Sequence, residues 1–505
     1  MATTDTYALV DAPPAPLTYR RRGRWIERWE PEDQAFWEAS GKRIARKNLL
    51  WSVFAEHIGF SIWVLWTTVV INLANAGLTL SVSEQFLLTL VPNAIGSALR
   101  IPYTFAIPKF GGRKWTVISS SLLFVPVLLL AVVVPSGWLL HQSHDVQLWV
   151  LLLCAASAGV GGGNFSSSMA NISFFYPESK KGFALGLNAA GGNLGVAVSQ
   201  LFVPLAIIIG VPAAAVNLAK HQVHLAYAGW MWVPFIALAV FGAAHYMDSL
   251  REARSDRASY KAALSERHTW VMSILYIGTF GSFIGFSFAL PLVIKNTFPE
   301  FLAHHTFIAT YLAGLGFVGA LVGSLARPFG GMLSDRVGGA RVTLVAFLGM
   351  AVFTATAIMG VQHRSFGAFF ASYMAIFLLS GIGNGSTYKM IPSIFAVLGR
   401  RHALRSGGDI RETSVEFRRR AAAVIGIAGA IGAFGGVLIQ VAFRQASLHV
   451  STLVKAAKTP AAKIAVASSH ANWSVPALWV FLGAYVVLAA LTWAVYLRRG
   501  REGLV

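Results

Sequence analysis

This 505-residue sequence predicts an all-α integral membrane protein, with twelve transmembrane helices in two pseudo-symmetric six-helix bundles. Three observations carry that prediction. Hydrophobic residues make up 55% of the chain and charged residues 12%, with a mean hydropathy of +0.60. A water-soluble protein could not cover that much apolar surface. The apolar residues gather into runs of about 20 or more, each long enough to cross roughly 30 Å of hydrocarbon. The third observation is that the two halves repeat.

In chain order, residues 1–48 read as a cytoplasmic N-terminal segment without the apolar core of a cleavable signal peptide. Within it, "PEDQAFWEASGKRIARKN" (31–48) reads as an amphipathic helix, lying on the inner membrane surface or solvated. Apolar runs at 49–74, 84–107, 114–134, 147–175, 182–211 and 228–247 form a first bundle over 49–247. A polar cytoplasmic linker follows at 248–268. Runs at 269–297, 306–333, 341–361, 366–397, 420–446 and 475–498 form a second bundle over 269–498, and 499–505 is a cytoplasmic tail. The loop at 444–474 is longer than the architecture requires.

Lysine and arginine concentrate in one set of loops: Lys109, Arg113 and Lys114, Lys180 and Lys181, the linker, Arg336 and Arg341, Arg400 and Arg401, and the tail. The alternate loops hold histidines and few strong cations, so both termini are expected in the cytoplasm. The formal net charge of +20 therefore belongs to a membrane topology and not to a nucleic-acid surface. The one cysteine, Cys154, lies in an apolar run, which leaves no disulfide to expect.

The repeat is positional. Arg100, Gly111, Gly112 and Thr116 recur as Arg327, Gly338, Gly339 and Thr343, each pair 227 positions apart, which matches helix 2 with helix 8. Two parallel repeats are the plan of a transporter that binds its substrate near the midplane between halves.

Arg100 and Arg327 each precede a cytoplasmic turn glycine by eleven residues, a depth of roughly 16 Å along a helix. A charge at the bilayer centre costs about 2.5–3.5 kcal/mol even on lenient scales. The carboxylates in or beside the runs are Glu56, Glu84 and Asp335, and none is spaced to neutralise both arginines at midplane. Two cations facing each other there repel unless an anion lies between them. Two planar guanidinium forks suit a small flat oxyanion of single charge.

The stretches "LRIPYTFAIPKFGGRKWT", "GGGNFSSSMANISFFYP", "GFALGLNAAGGNLGV", "YIGTFGSFIGFS" and "RPFGGMLSDRVGGARVTL" resemble the nitrate/nitrite porter (NarK-like) family of the major facilitator superfamily, over nearly everything from Trp29 to Arg498. The resemblance implies a secondary active transporter of nitrate and nitrite, with Arg100 and Arg327 as the substrate-binding pair. It further implies that Asn188 and Tyr276 line the site and that Phe60 and Phe280 bracket the anion. A third aromatic position, on helix 4, falls on Val160. Without the resemblance, Phe60 and Phe280 read equally as core or lipid-facing rings. The runs "GLNAAGGNLG" and "GIAGAIGAFGG", with Gly191, Gly192, Gly195, Gly429, Gly432 and Gly435, match the family's paired signatures on helices 5 and 11. They serve either sliding or static close packing. Asn171 reads as interhelical hydrogen-bond glue.

Nitrate is the anion of a strong acid and carries no proton of its own. Moving it into a negative interior costs about 2.3 kcal/mol per 100 mV, so a proton must enter with it or another anion must leave. In "WSVFAEHIGFSIWVLW", Glu56 and His57 lie about one turn before Phe60. An intramembrane carboxylate is a functional candidate by default. Lys389, in "GIGNGSTYKMIPSIF" of helix 10, is the expected partner of Glu56 across the halves, or else snorkels to the interface. An acidic residue here resembles the proton-coupled subgroup, so nitrate/H⁺ symport is expected, with nitrate/nitrite antiport as the alternative. The histidines at 141, 144, 304 and 305 match no metal spacing, and no nucleophile–base set lies at membrane depth. The sequence therefore predicts no enzyme, cofactor, metal or nucleic-acid partner. It predicts a monomer in the cell's inner membrane whose partners are nitrate, nitrite, H⁺ and lipid.

Overall fold

A computed structural model describes residues 21–22, 24–212, 222–251, 253, 257–407, 409–457, 459, 462, 466, 469–470 and 472–498. The tail lies outside the described residues. Eleven helices among them are long and apolar enough to cross a membrane: α1 (Gln34–Ala76), α3 (Gly112–Val132), α4 (His144–Phe175), α5 (Ser179–Ile207), α6 (Ala226–Tyr246), α7 (Arg267–Thr297), α8 (Gly316–Val337), α9 (Gly339–Gln362), α10 (Phe366–Ser406), α11 (Glu416–Ala456) and α12 (Val475–Leu497). The twelfth is α2 (Val82–Thr104), 23 residues that include Glu84, Asn93 and Arg100. It carries the first of the two buried arginines.

The halves, α1–α6 and α7–α12, meet where α2 packs on α11 and α5 on α8, with α7 reaching α2. The positional repeat appears in the backbone. Gly111 and Gly338 turn the chain after α2 and α8 with φ of 78° and 91°, which a side chain would strain.

Four expectations change. The 31–48 segment is not a separate surface helix. Asp33 caps α1 itself through the amides of Ala35 and Phe36, and α1 runs on through a π-turn at Trp37–Gly41. Phe36, Trp37 and Ile44 are buried, so packing draws this stretch into the fold. The run expected from 306 breaks at Gly314 and Leu315, both with positive φ, and α8 starts at Gly316. Helix 10 extends to Ser406, and α11 to Ala456, so the puzzling loop begins as further turns of α11. Finally, a small sheet joins β1 (Arg21–Arg22) antiparallel to β2 (Trp25–Ile26), and β2 parallel to β3 (Ser249–Leu250), tying the N-terminal segment to the linker.

Candidate functional site

Arg100 is fully buried on α2, and Arg327, on α8, is 4% exposed. Neither faces lipid, and neither makes an ion pair among the described residues. The Arg100 guanidinium carbon lies 4.6 Å from the Phe165 ring centre, 4.8 Å from Phe280, 5.4 Å from Trp63 and 6.0 Å from Phe60. Its Nε donates to the Gly162 carbonyl at 3.2 Å and its Nη1 to the Gly429 carbonyl on the opposite half at 2.8 Å. Arg327 donates through Nη2 to the Tyr276 hydroxyl at 3.3 Å, with its guanidinium carbon 5.5 Å from Tyr388 and 5.7 Å from Phe165. Phe165 is thus the ring both cations share. Cation–π attraction of about 0.5–2 kcal/mol per contact lets these rings hold the charges where a carboxylate would cancel them.

Each guanidinium has a buried nitrogen with no hydrogen-bond partner among the described residues, Arg100 Nη2 and Arg327 Nη1. A buried charged donor left unpaired is costly, and these two nitrogens can each take an acceptor.

Tyr276 and Phe280 stack at 5.4 Å and Phe280 on Phe165 at 5.8 Å, within 14° and 20° of parallel. Phe280 follows Tyr276 by one turn, inside a π-turn at Ile277–Gly281, a local widening that recurs at functional positions. Phe60 and Phe280 both lie against the Arg100 guanidinium. The ring that helix 4 places beside both arginines is Phe165. The legible signal was the single aromatic in "GGGNFSSS", where neighbouring glycines let α1 and α2 approach and leave that ring the central space.

Glu56, on α1, is 1% exposed and forms a second cluster. Its Oε2 accepts from Ser168 Oγ at 2.6 Å and from Asn188 Nδ2 at 2.7 Å. Asn188 also donates to Ser168 Oγ at 2.5 Å, and Ser168 lies 2.9 Å from Ser52 Oγ. Asn188 thus attends Glu56 in this structure, not the arginines. Here the atoms without partners are both acceptors, Glu56 Oε1 and Asn188 Oδ1. This cluster lacks a donor, where the arginine pair lacks an acceptor.

Lys389 does not meet Glu56. It pairs with Asp335 on α8 at 2.7 Å, both side chains about half exposed, so it has snorkelled to the interface as a long amphipathic side chain can. His57 turns Nδ1 to the Gly191 carbonyl at 2.9 Å, an ordinary interhelical hydrogen bond. Asn171, expected as glue, makes no side-chain hydrogen bond among the described residues and sits against Gly112.

The helix-5 glycines pack within their own half, whereas the α11 run faces both halves, with Gly432 and Gly435 on α7 and Gly429 and Gly436 on Phe165 and Asn93 of the first half. A Cβ on Gly191 would meet Val53 at 2.4 Å, on Gly192 the Glu56 Oε1 at 2.5 Å, and on Gly195 the His57 carbonyl at 2.3 Å. On α11, a Cβ at Gly432 would meet Tyr276 at 2.3 Å and one at Gly435 the Ile277 carbonyl at 2.6 Å. At Gly429 a Cβ would touch nothing closer than Phe165 at 3.7 Å. That glycine's contribution is the carbonyl it offers Arg100.

On the lysine- and arginine-rich side a cavity of about 600 Å³, lined by Lys181, Arg418, Arg419 and Tyr260, ends at Phe165 and Tyr388. On the other side the halves are bonded shut. Gln200 of α5 donates to the Ser287 carbonyl of α7 at 2.6 Å, and Thr89 of α2 donates to Gln440 of α11 at 2.8 Å. Further out, Lys455 of α11 meets Glu84 of α2 at 3.0 Å. That contact uses the added turns of α11.

Two six-helix halves closing over a buried cationic centre define a membrane transporter. The model for the Major Facilitator Superfamily matches residues 57–440. Known relatives include the nitrate/nitrite transporter NarU of Escherichia coli (strain K12), 38% identical over 96% of this chain and 98% of its own length. The probable nitrate/nitrite antiporter NarK2 of Thermus thermophilus is 36% identical over 74% of this chain and 84% of its own. Among solved structures, a bacterial homologue of the lysosomal transporter Spinster superposes with a TM-score of 0.60 at 16% identity, covering 88% of this chain and 95% of that one. A D-xylose–proton symporter gives 0.57 at 15%, covering 89% and 97%. The chain belongs to the nitrate/nitrite porter family of the major facilitator superfamily, a family of transporters and not enzymes.

Proposed function

We propose that this protein carries nitrate, and nitrite, across the cytoplasmic membrane by alternating access, as a monomer with both termini in the cytoplasm. The observation that carries this is the pair of orphaned buried donors, Arg100 Nη2 and Arg327 Nη1, converging on one aromatic centre. Each half supplies one. A flat monovalent oxyanion offers in-plane acceptors to both forks, while near-parallel Phe165 and Phe280 favour a planar guest. A sugar or neutral drug would leave two cations uncompensated. Substrate names come from the relatives; the charge and shape of the guest come from the site.

The coupled ion is a proton held on Glu56. The second cluster's orphans are acceptors, so adding H⁺ at the carboxyl supplies what it lacks, as adding an anion supplies what the arginines lack. Both deficits are buried, and the cavity that reaches Phe165 opens on the basic side, which the positive-inside rule makes cytoplasmic. In this conformation the inner route is open to Phe165 and the outer contacts are closed; the complementary state exchanges the two.

Nitrate/nitrite antiport is the second reading, favoured by the description of the Thermus relative. Purified protein in proteoliposomes separates them. Under symport, Glu56→Gln abolishes nitrate uptake driven by a pH gradient and spares nitrate-for-nitrite exchange. Retained pH-driven uptake in that variant contradicts the symport assignment.

A further inference from the structure

The Glu56 cluster has a direction. Glu56, Asn188 and Ser52 are sealed, at 1%, 0% and 2% exposure, whereas Ser168 is only partly buried. Two side chains hydrogen-bond the carboxylate among the described residues, Asn188 and Ser168. An amide N–H donates but does not surrender its proton at ordinary pH. A hydroxyl is both donor and acceptor, so it can pass one proton on while taking another. The charges acting on Glu56 are Arg327 and Arg100, and Tyr276 and Tyr388 are its other titratable neighbours; none of these four bonds it. His57, the next residue, is turned to Gly191.

We infer that Ser168 is the relay through which the proton reaches and leaves Glu56, an inference that rests on the symport reading. In loading, the Ser168 O–H bond breaks as an O–H bond forms on Glu56 Oε2, across 2.6 Å. In the same concerted step Ser168 takes the incoming proton from hydronium at its partly exposed edge and ends neutral, while Ser52 Oγ, 2.9 Å away, keeps its own proton. One proton is transferred and nothing is oxidised. Discharge runs the same bonds in reverse. Ser168 stands three residues after Phe165 on α4, so proton entry and the ring shared by the arginines are carried on one helix.

The test compares wild type with Ser168→Ala, Ser168→Thr and Glu56→Gln in proteoliposomes, measuring nitrate uptake on a pH gradient and nitrate-for-nitrite exchange without one. Ser168→Ala is expected to slow pH-driven uptake by about tenfold or more, the scale of a lost proton-transfer group. Exchange leaves the proton in place and should change by less than about twofold. Ser168→Thr, which keeps the hydroxyl, should restore gradient-driven uptake. Wild-type pH-driven uptake in Ser168→Ala overturns the relay, as does an equal loss of both activities or failure of threonine to rescue. Glu56→Gln separates the two ideas. If it alone loses pH-driven uptake, the carboxylate reading stands and the relay falls; if it too keeps that uptake, both fall.

Discussion

Gly192→Ala is the sharpest probe of the Glu56 cluster, because one added methyl is aimed at it. The new Cβ would lie 2.5 Å from Glu56 Oε1, 2.8 Å from its Cγ and 2.9 Å from its Cδ. Carbon contacts are comfortable near 3.5 Å, so the carboxyl must retreat by about 1 Å. Its hydrogen bonds to Ser168 and Asn188, at 2.6 and 2.7 Å, would then pass beyond useful length. A hydrogen bond to a charged group contributes about 1.5–3 kcal/mol, so losing one costs roughly ten- to a hundredfold in the population of the competent cluster. Gradient-driven nitrate uptake in proteoliposomes should fall by that factor while nitrate binding persists, since no arginine contact is touched. Two variants on the same helix act as controls. Gly186→Ala meets nothing within 4 Å and should be silent, whereas at Gly195 the clash is with the His57 backbone carbonyl at 2.3 Å and should disable transport altogether. If Gly192→Ala takes up nitrate on a pH gradient like wild type, the cluster is not the coupling site.

Removing the shared ring, Phe165→Ala, deletes cation–π contacts to both arginines and is expected to weaken nitrate binding by about tenfold or more, read by calorimetry. Lys389→Ala breaks a half-exposed pair with Asp335 and should lower stability by less than about 1 kcal/mol in thermal unfolding, leaving pH-driven uptake intact. The double variant Gln200→Leu/Gln440→Leu removes both buried glutamine ties between the halves and should populate the outward-open state. Spin labels placed at Ser83 and Ser451, whose backbone amide and side chain now lie 3.3 Å apart, would report a longer distance.

Much of this was legible in the sequence for physical reasons. Apolar runs show where the chain crosses the bilayer because water and hydrocarbon impose that pattern. A charge at midplane, repeated at a fixed interval, marks a site because nothing structural requires it there. Gly111 and Gly338 reached the structure as paired positive-φ turns because glycine alone takes that backbone without strain. Side-chain partnership was less legible. Lys389 chose Asp335 over Glu56 because a long flexible amine seeks the aqueous interface, which spacing along one helix does not reveal. Phe165 escaped because its importance comes from the partners that other helices bring to it, Arg100, Arg327 and Phe280, which its own stretch of sequence does not reveal. Helix ends were uncertain where polar sequence stays helical, as at Gln34–Gly41 and the last turns of α11.

The central claim is that two guanidinium forks, one per half, together hold a flat anion. Nitrate binding to purified wild type, Arg100→Lys and Arg327→Lys measures it directly, because lysine keeps the charge and loses the fork. Each substitution is expected to weaken nitrate by about tenfold or more. Wild-type affinity in either lysine variant would contradict the account.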